Sequence, residues 1–290
     1  MVLVEPTAQS RLSTLNKLRV AINGQIESQV SSQDRGLLYG HTVFETIAIV
    51  NSKPRLLSDH LSRLMDGAQR LAIPLDEKQL EAEFHDFCQE LGNACVRITL
   101  TIGEGGRGYQ SPRKPQALRI LSEYEYPNHP NKHQEQGIHL GVSDFRLAQQ
   151  PALAGIKHGN RLEQVLARQN WHSSWHEALL LDYHDNVIEA NSANVFIVKE
   201  KCLYTPDLTQ CGVNGVMRKH LIDLAKELGF KTEAVSLSLT ELLDADEVFL
   251  CNSIIGIWPV ARCQDREFKD NSIARSLLNR LRLDEIIPHN

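Results

Sequence analysis

Residues 126–135 read Tyr-Pro-Asn-His-Pro-Asn-Lys-His-Gln-Glu, a stretch with two prolines and no apolar periodicity, and they divide the 290-residue chain in two. Proline lacks the backbone donor that a continuing helix or central strand needs, so no regular element is expected to run through this segment. The expected organisation is an extension over residues 1–17, a small N-terminal domain over 18–125, the linker over 126–135 and a larger domain over 136–290. A chain of this length buries a substantial core in two such units.

Local patterning fills in the two halves. Asn23-Gly24 is the dipeptide of a tight turn, so the folded part is expected to open with a hairpin. Residues 43–50, 95–102 and 117–125 read as strands. Ser58 or Asp59 is expected to cap a helix carrying Leu61, Leu64, Ala68 and Leu71, and a second helix is predicted over 77–91. Beyond the linker, strands are predicted near 138–143, between 177 and 204, and near 231–235, 247–251 and 257–261. Helices are predicted near 160–171, 214–228 and in the last twenty residues. Strands and helices do not alternate regularly, which argues for an α+β second domain over a doubly wound sheet.

The charge balance excludes some functions. A net charge of −5 and a sequence pI near 6.2 leave no basic footprint for nucleic acid. No run approaches the ~18 to 20 apolar residues of a membrane span, and residues 1–16 lack the apolar stretch of a secretory signal. The six cysteines show no Cys-x-x-Cys pair, and the twelve histidines no metal-ligand spacing. We therefore expect reduced thiols, a cytoplasmic location, no metal, no nucleic-acid or membrane partner, and a small-molecule substrate.

Two residues suggest the chemistry. Lys157 lies in Ala-Gly-Ile-Lys-His-Gly-Asn-Arg-Leu-Glu, between a strand end and a helix, where desolvation or a nearby cation can free its amine to attack a carbonyl. Glu189, in Ile-Glu-Ala-Asn-Ser-Ala-Asn-Val-Phe, is a carboxylate of the kind that keeps a pyridine nitrogen protonated. Taken singly, each is an ordinary surface residue. Together they are the two electronic contributions a protein makes to pyridoxal-phosphate chemistry.

The Lys157 and Glu189 segments, Gly212-Val-Asn-Gly-Val-Met-Arg218 and Glu247-Val-Phe-Leu-Cys-Asn-Ser253 resemble the class IV pyridoxal-phosphate enzymes, in the family's order. The resemblance covers nearly the whole chain from about residue 18. It implies an α+β, two-domain, D-amino acid aminotransferase-like fold with a small N-terminal α/β sandwich and a larger C-terminal α+β barrel-like domain. It also implies a homodimer, with pyridoxal 5′-phosphate carried on Lys157 and its ring nitrogen on Glu189. Cofactor contacts are expected from Arg63, Ser192, Val216, Met217, Asn252 and Ser253, because helix N-termini, hydroxyls and a guanidinium suit a phosphate.

Within the family, the Lys157 segment and Gly105-Gly-Arg-Gly-Tyr109 resemble the 4-amino-4-deoxychorismate lyases most. That branch implies formation of 4-aminobenzoate and pyruvate for folate synthesis. Arg107 and Tyr109 are then the expected substrate contacts. Arg161 stands about where branched-chain enzymes carry a tyrosine near the cofactor hydroxyl, which favours the lyase branch. An aminotransferase acting on D- or branched-chain amino acids, and a non-catalytic binding protein of the same fold, remain the alternatives.

Overall fold

The computed structural model describes residues 19–288, so the expected extension over 1–17 lies outside the described residues. Residues 20–125 form one sheet with its helices. Asn23 and Gly24, at φ 50° and 78°, turn β1 (Val20–Ile22) into β2 (Gln25–Ile26), as the dipeptide predicts. There follow α1 (Arg35–Tyr39), β3 (Thr42–Val50), β4 (Lys53–Pro54), α2 (Leu57–Arg70), α3 (Glu77–Cys88), β5 (Ala94–Thr101) and β6 (Leu118–Glu125). The strand order is β2-β1-β6-β5-β3-β4, antiparallel at every pairing.

α2 and α3 cover the core side of this sheet. Leu61, Leu64 and Ala68 join Leu80, Phe84 and Phe87 against Val43, Ile47, Ile49, Val96, Ile98 and Leu100. Alternation along β3 sends Glu45 to the same side as Val43, Ile47 and Ile49, under α2. The start of α2 corrects the expected cap. Leu56 is the N-cap residue, in a left-handed conformation with no side-chain cap, and Ser58 lies inside the helix. Asp59 does not cap either; its carboxylate accepts a 2.5 Å bond from Lys219 in the other half of the chain.

Residues 126–135 contain one short helix, α4 (Lys132–Glu135). The second half continues with β7 (Ile138–Leu147), α5 (Leu162–Gln169), β8 (Glu177–Asp182), β9 (Val187–Ala190), β10 (Asn194–Lys199) and β11 (Cys202–Pro206). Then come α6 (Val216–Glu227), β12 (Thr232–Val235), α7 (Leu239–Leu243), β13 (Glu247–Asn252), β14 (Gly256–Cys263), β15 (Arg266–Glu267) and α8 (Ser272–Leu283). The order β12-β11-β10-β13-β14-β7-β8-β9 mixes parallel and antiparallel pairs and curls so that β9 returns beside β10.

Both faces of the central strands are buried, which is why they read as continuous apolar runs. Val195, Ile197, Val248 and Leu250 point into the concave core, whereas Phe196, Val198, Phe249 and Cys251 pack under α6 and α8. Phe196 and Phe249 are register partners and their rings stack at 5.1 Å. We infer the domain division from the change of sheet at residues 126–135.

Candidate active site

The segment carrying Lys157 is pinned on both sides by backbone bonds. Phe44 N–H donates to the Lys157 carbonyl at 2.9 Å and Gly159 N–H to the Thr42 carbonyl at 2.8 Å, tying it to β3. Gly155 N–H donates to Gly212 O, and Asn214 N–H returns a bond to Gly155 O. Lys157 is thereby held where the two sheets meet. Its Nζ stands 4.8 Å from the centre of the Phe44 ring. Burial first, and the neighbouring Arg63 guanidinium second, push its pKa down from the ordinary 10.5 to about 8.

A cavity of about 680 Å³ opens at this junction, a size suited to a cofactor with its substrate. Its lining includes Lys157, Glu189, Arg63, Ser192, Val216, Met217, Asn252 and Ser253, so every expected cofactor residue faces one space. Glu189 is buried on β9. Its Oε2 accepts from Val213 N–H at 2.8 Å and its Oε1 from Gln164 Nε2 at 3.5 Å. Burial raises its pKa, with the Val213 N–H, Arg161 and Lys157 opposing.

The opposite end of the cavity offers donors for an anion. Gly215 is the N-cap of α6 and contributes no side-chain cap, which leaves the first-turn amides of Val216 and Met217 open. A Cβ at Gly215 would stand 1.9 Å from Asn194 Oδ1, so the approach to this helix end requires glycine. The Ser253 hydroxyl has no protein partner among the described residues. Asn252 and Ser192 line the cavity with their side chains engaged within the protein. The Asn252 carboxamide accepts from Ile254 N–H and Ile255 N–H and donates to Ser192 O, and the Ser192 hydroxyl donates to the buried Glu177 carboxylate. Both side chains shape the wall.

Arg63 depends on partners that sequence reasoning missed. Its Nε and Nη2 donate to the two oxygens of Glu45 at 2.7 and 2.5 Å, and Nη1 donates to Asn214 O at 3.0 Å. His60 Nδ1 meets the same carboxylate at 2.7 Å. Burial alone would raise the Glu45 pKa, but Arg63 and His60 outweigh it and hold the carboxyl at about 2. The signal was present: one charged residue inside an apolar strand, where burial demands a counter-charge, and a His and an Arg three apart on the next helix.

Arg107 and Tyr109, the expected substrate contacts, lie outside the cavity of a single chain. Both are exposed on the loop between β5 and β6, and neither lines the cavity. Tyr109, 91% exposed, rests edge-on against Tyr39 at 5.7 Å, and Arg35 holds the loop by Nη1 bonds to the Gly108 and Gly105 carbonyls. The loop is anchored on α1, and its fixed geometry faces outward.

The cavity residues fit pyridoxal 5′-phosphate. Four buried polar atoms on the lining, His60 Nε2, Arg161 Nη2, Gln164 Oε1 and Asn191 Oδ1, have no hydrogen-bond partner among the described residues, as expected where a polar ligand supplies one. A reactive amine, a buried carboxylate and an anion cradle match an aldehyde, a ring nitrogen and a phosphate in turn.

The chain is similar to proteins of known class. An aminodeoxychorismate lyase from Vibrio harveyi is 34% identical over 262 residues, 90% of this chain and 97% of its own. The crystal structure of 4-amino-4-deoxychorismate lyase from Pseudomonas aeruginosa is 44% identical, superposes with a TM-score of 0.89, and covers 91% of this chain and 98% of its own. A branched-chain amino acid aminotransferase from Escherichia coli is 26% identical with a TM-score of 0.79, covering 90% and 91%. The two-domain α+β fold is that of these proteins. The class IV amino-transferase family matches residues 42–263, both halves of the cavity included, and the chain belongs to that family.

Proposed function

We propose that this protein is a pyridoxal-phosphate-dependent aminodeoxychorismate lyase, converting 4-amino-4-deoxychorismate to 4-aminobenzoate and pyruvate. The observation that carries the cofactor reading is the sharing of one cavity by the Lys157 amine, the Glu189 carboxylate and the open N-terminus of α6. The likeness to two lyases, at 34% and 44% identity, supports the branch.

When bound, pyridoxal 5′-phosphate supplies an aldehyde for amines and a ring that accepts electron density. Lys157 would carry it, Glu189 would hold the proton on its ring nitrogen, and Arg63, Ser253 and the amides of Val216 and Met217 would hold its phosphate. With substrate in place, the neutral Lys157 amine takes the proton from the ring carbon that bears the substrate amino group. The carbon–oxygen bond to the enolpyruvyl group breaks as the ring becomes aromatic. Lys157, now an ammonium, gives a proton to the departing group and completes pyruvate. A pKa lowered from 10.5 to about 8 suits both roles, since a usable fraction of neutral amine, about a tenth at pH 7, coexists with the ammonium.

Arg107 and Tyr109 serve as substrate contacts in this reading only if a second protomer brings its loop to the cavity, and we accordingly propose a homodimer. The exposed Leu37, Leu38 and Tyr39 on α1 and Leu162, Val165 and Leu166 on α5 support an apolar contact there. We place the protein in the cytoplasm; the six thiols are unpaired, and no helix among the described residues is long and apolar enough to cross a membrane. Incubation with pyridoxal 5′-phosphate and 4-amino-4-deoxychorismate alone should yield 4-aminobenzoate and pyruvate. Turnover of amino acids only on addition of a keto-acid acceptor would assign the protein to the aminotransferases instead.

A further inference from the structure

Ser253 sits on a three-residue hairpin loop, residues 253–255, closed by the Asn252↔Gly256 pair, with Gly256 at φ 66°. Ile254 in this loop lines the cofactor cavity on one side. On its other side it lines a second cavity of about 230 Å³, together with Tyr126, Gln134, Ile255 and Trp258. Ile254 thus forms a thin wall between two spaces, while Ile255 anchors in the core beside it.

Two bonds from residues 126–135 cross to this wall from the rear. The Tyr126 hydroxyl donates to Ile254 O at 2.7 Å, and Gln134 Nε2 donates to Ile255 O at 3.1 Å. The segment supplying them is itself anchored. His129 and His133 each pack edge-on against Trp258 at 4.9 Å, Arg282 donates to Gln134 Oε1 at 2.6 Å, and Arg275 donates to Glu135 O at 2.7 Å. Asn252 tightens the loop internally through its bonds to the Ile254 and Ile255 amides and ties its start to Ser192 O at 3.0 Å on the cavity side, while the rear of the loop is held by Tyr126 and Gln134.

We propose that Tyr126 is a positioning residue for cofactor binding: its hydroxyl, with Gln134, braces the 253–255 loop so that Ser253 stands at the phosphate. Burial raises the phenol pKa, so the hydroxyl keeps its proton and remains a donor over the working pH range. The segment joining the two sheets thereby has a specific task at the site. This proposal rests on the pyridoxal-phosphate reading above.

The test compares pyridoxal 5′-phosphate with pyridoxal, which lacks the phosphate, on the full-length protein. Tyr126→Phe keeps the ring and removes only the donor. It should weaken pyridoxal 5′-phosphate about three- to tenfold, the range of one net hydrogen bond, while pyridoxal affinity stays unchanged. The ³¹P resonance of the bound phosphate should shift. Gln134→Leu, which releases the other carbonyl, should act in the same direction and provides the same comparison if Tyr126→Phe folds poorly. Equal losses for both ligands, or no loss for either, would overturn the proposal. Failure of the unmutated protein to bind pyridoxal 5′-phosphate would overturn the cofactor reading itself, a result visible before any variant is compared.

Discussion

Glu45 accepts both prongs of the Arg63 guanidinium, at 2.7 and 2.5 Å, on a carboxylate that is fully buried. Glu45→Gln removes the charge that compensates Arg63 in a dry site and weakens the acceptor that meets His60 Nδ1. Breaking a buried pair from one side destabilises a fold by about 3 kcal/mol or more. Denaturant unfolding should show that loss. The difference between the two proteins should also depend on pH. Because folding lowers the Glu45 pKa from 4.5 to about 2, its contribution is complete above 4.5 and declines as pH falls toward 2. A gap that stayed constant between pH 6 and 3 would count against the pair.

Lys157 should be the most reactive lysine near neutral pH. Competitive labelling of the cofactor-free protein, followed by peptide mass analysis, should show its modification rising through about pH 8, ahead of the other lysines. After loading with pyridoxal 5′-phosphate and reduction with borohydride, the label should map to Lys157 and vanish in Lys157→Ala.

Glu189→Gln keeps the shape of the site and removes the charge opposite the ring nitrogen. Cofactor should be retained, while kcat falls by about tenfold to a hundredfold, the value of a hydrogen bond to a charged group. Unchanged turnover would remove Glu189 from the mechanism.

Gly215→Ala places a methyl 1.9 Å from Asn194 Oδ1 and forces the start of α6 away from Asn194. Retention of pyridoxal 5′-phosphate should fall at least tenfold, with pyridoxal much less affected, because the displaced amides are those proposed to hold the phosphate. Fluorescence titration with the two ligands measures the ratio.

Arg107→Ala should leave cofactor affinity unchanged and raise KM for 4-amino-4-deoxychorismate by about tenfold to a hundredfold. If the loop serves a neighbouring protomer, mixing inactive Lys157→Ala with impaired Arg107→Ala subunits should restore activity as hybrid dimers form. One site in each hybrid then has both residues intact. Mixtures no better than their components would confine each site to one chain.

What the linear chain determined was local in origin. Strands buried on both faces are mostly apolar, so β3 and β13 were legible as runs, and Asn23-Gly24 announced its hairpin through the φ values it tolerates. Lys157, Glu189 and the glycine before α6 were legible because their chemistry needs particular residue types. Tertiary structure decided what depends on approach between distant segments. It turned Asp59 from an expected cap into a partner for Lys219, and it gave Asn252 to its own hairpin. It also set Arg107 outside the cavity and brought Tyr126 behind Ser253. Such pairings follow from the relative placement of the two sheets. A sequence pattern reports which face of an element is apolar, but carries no record of which polar groups another element will place opposite it.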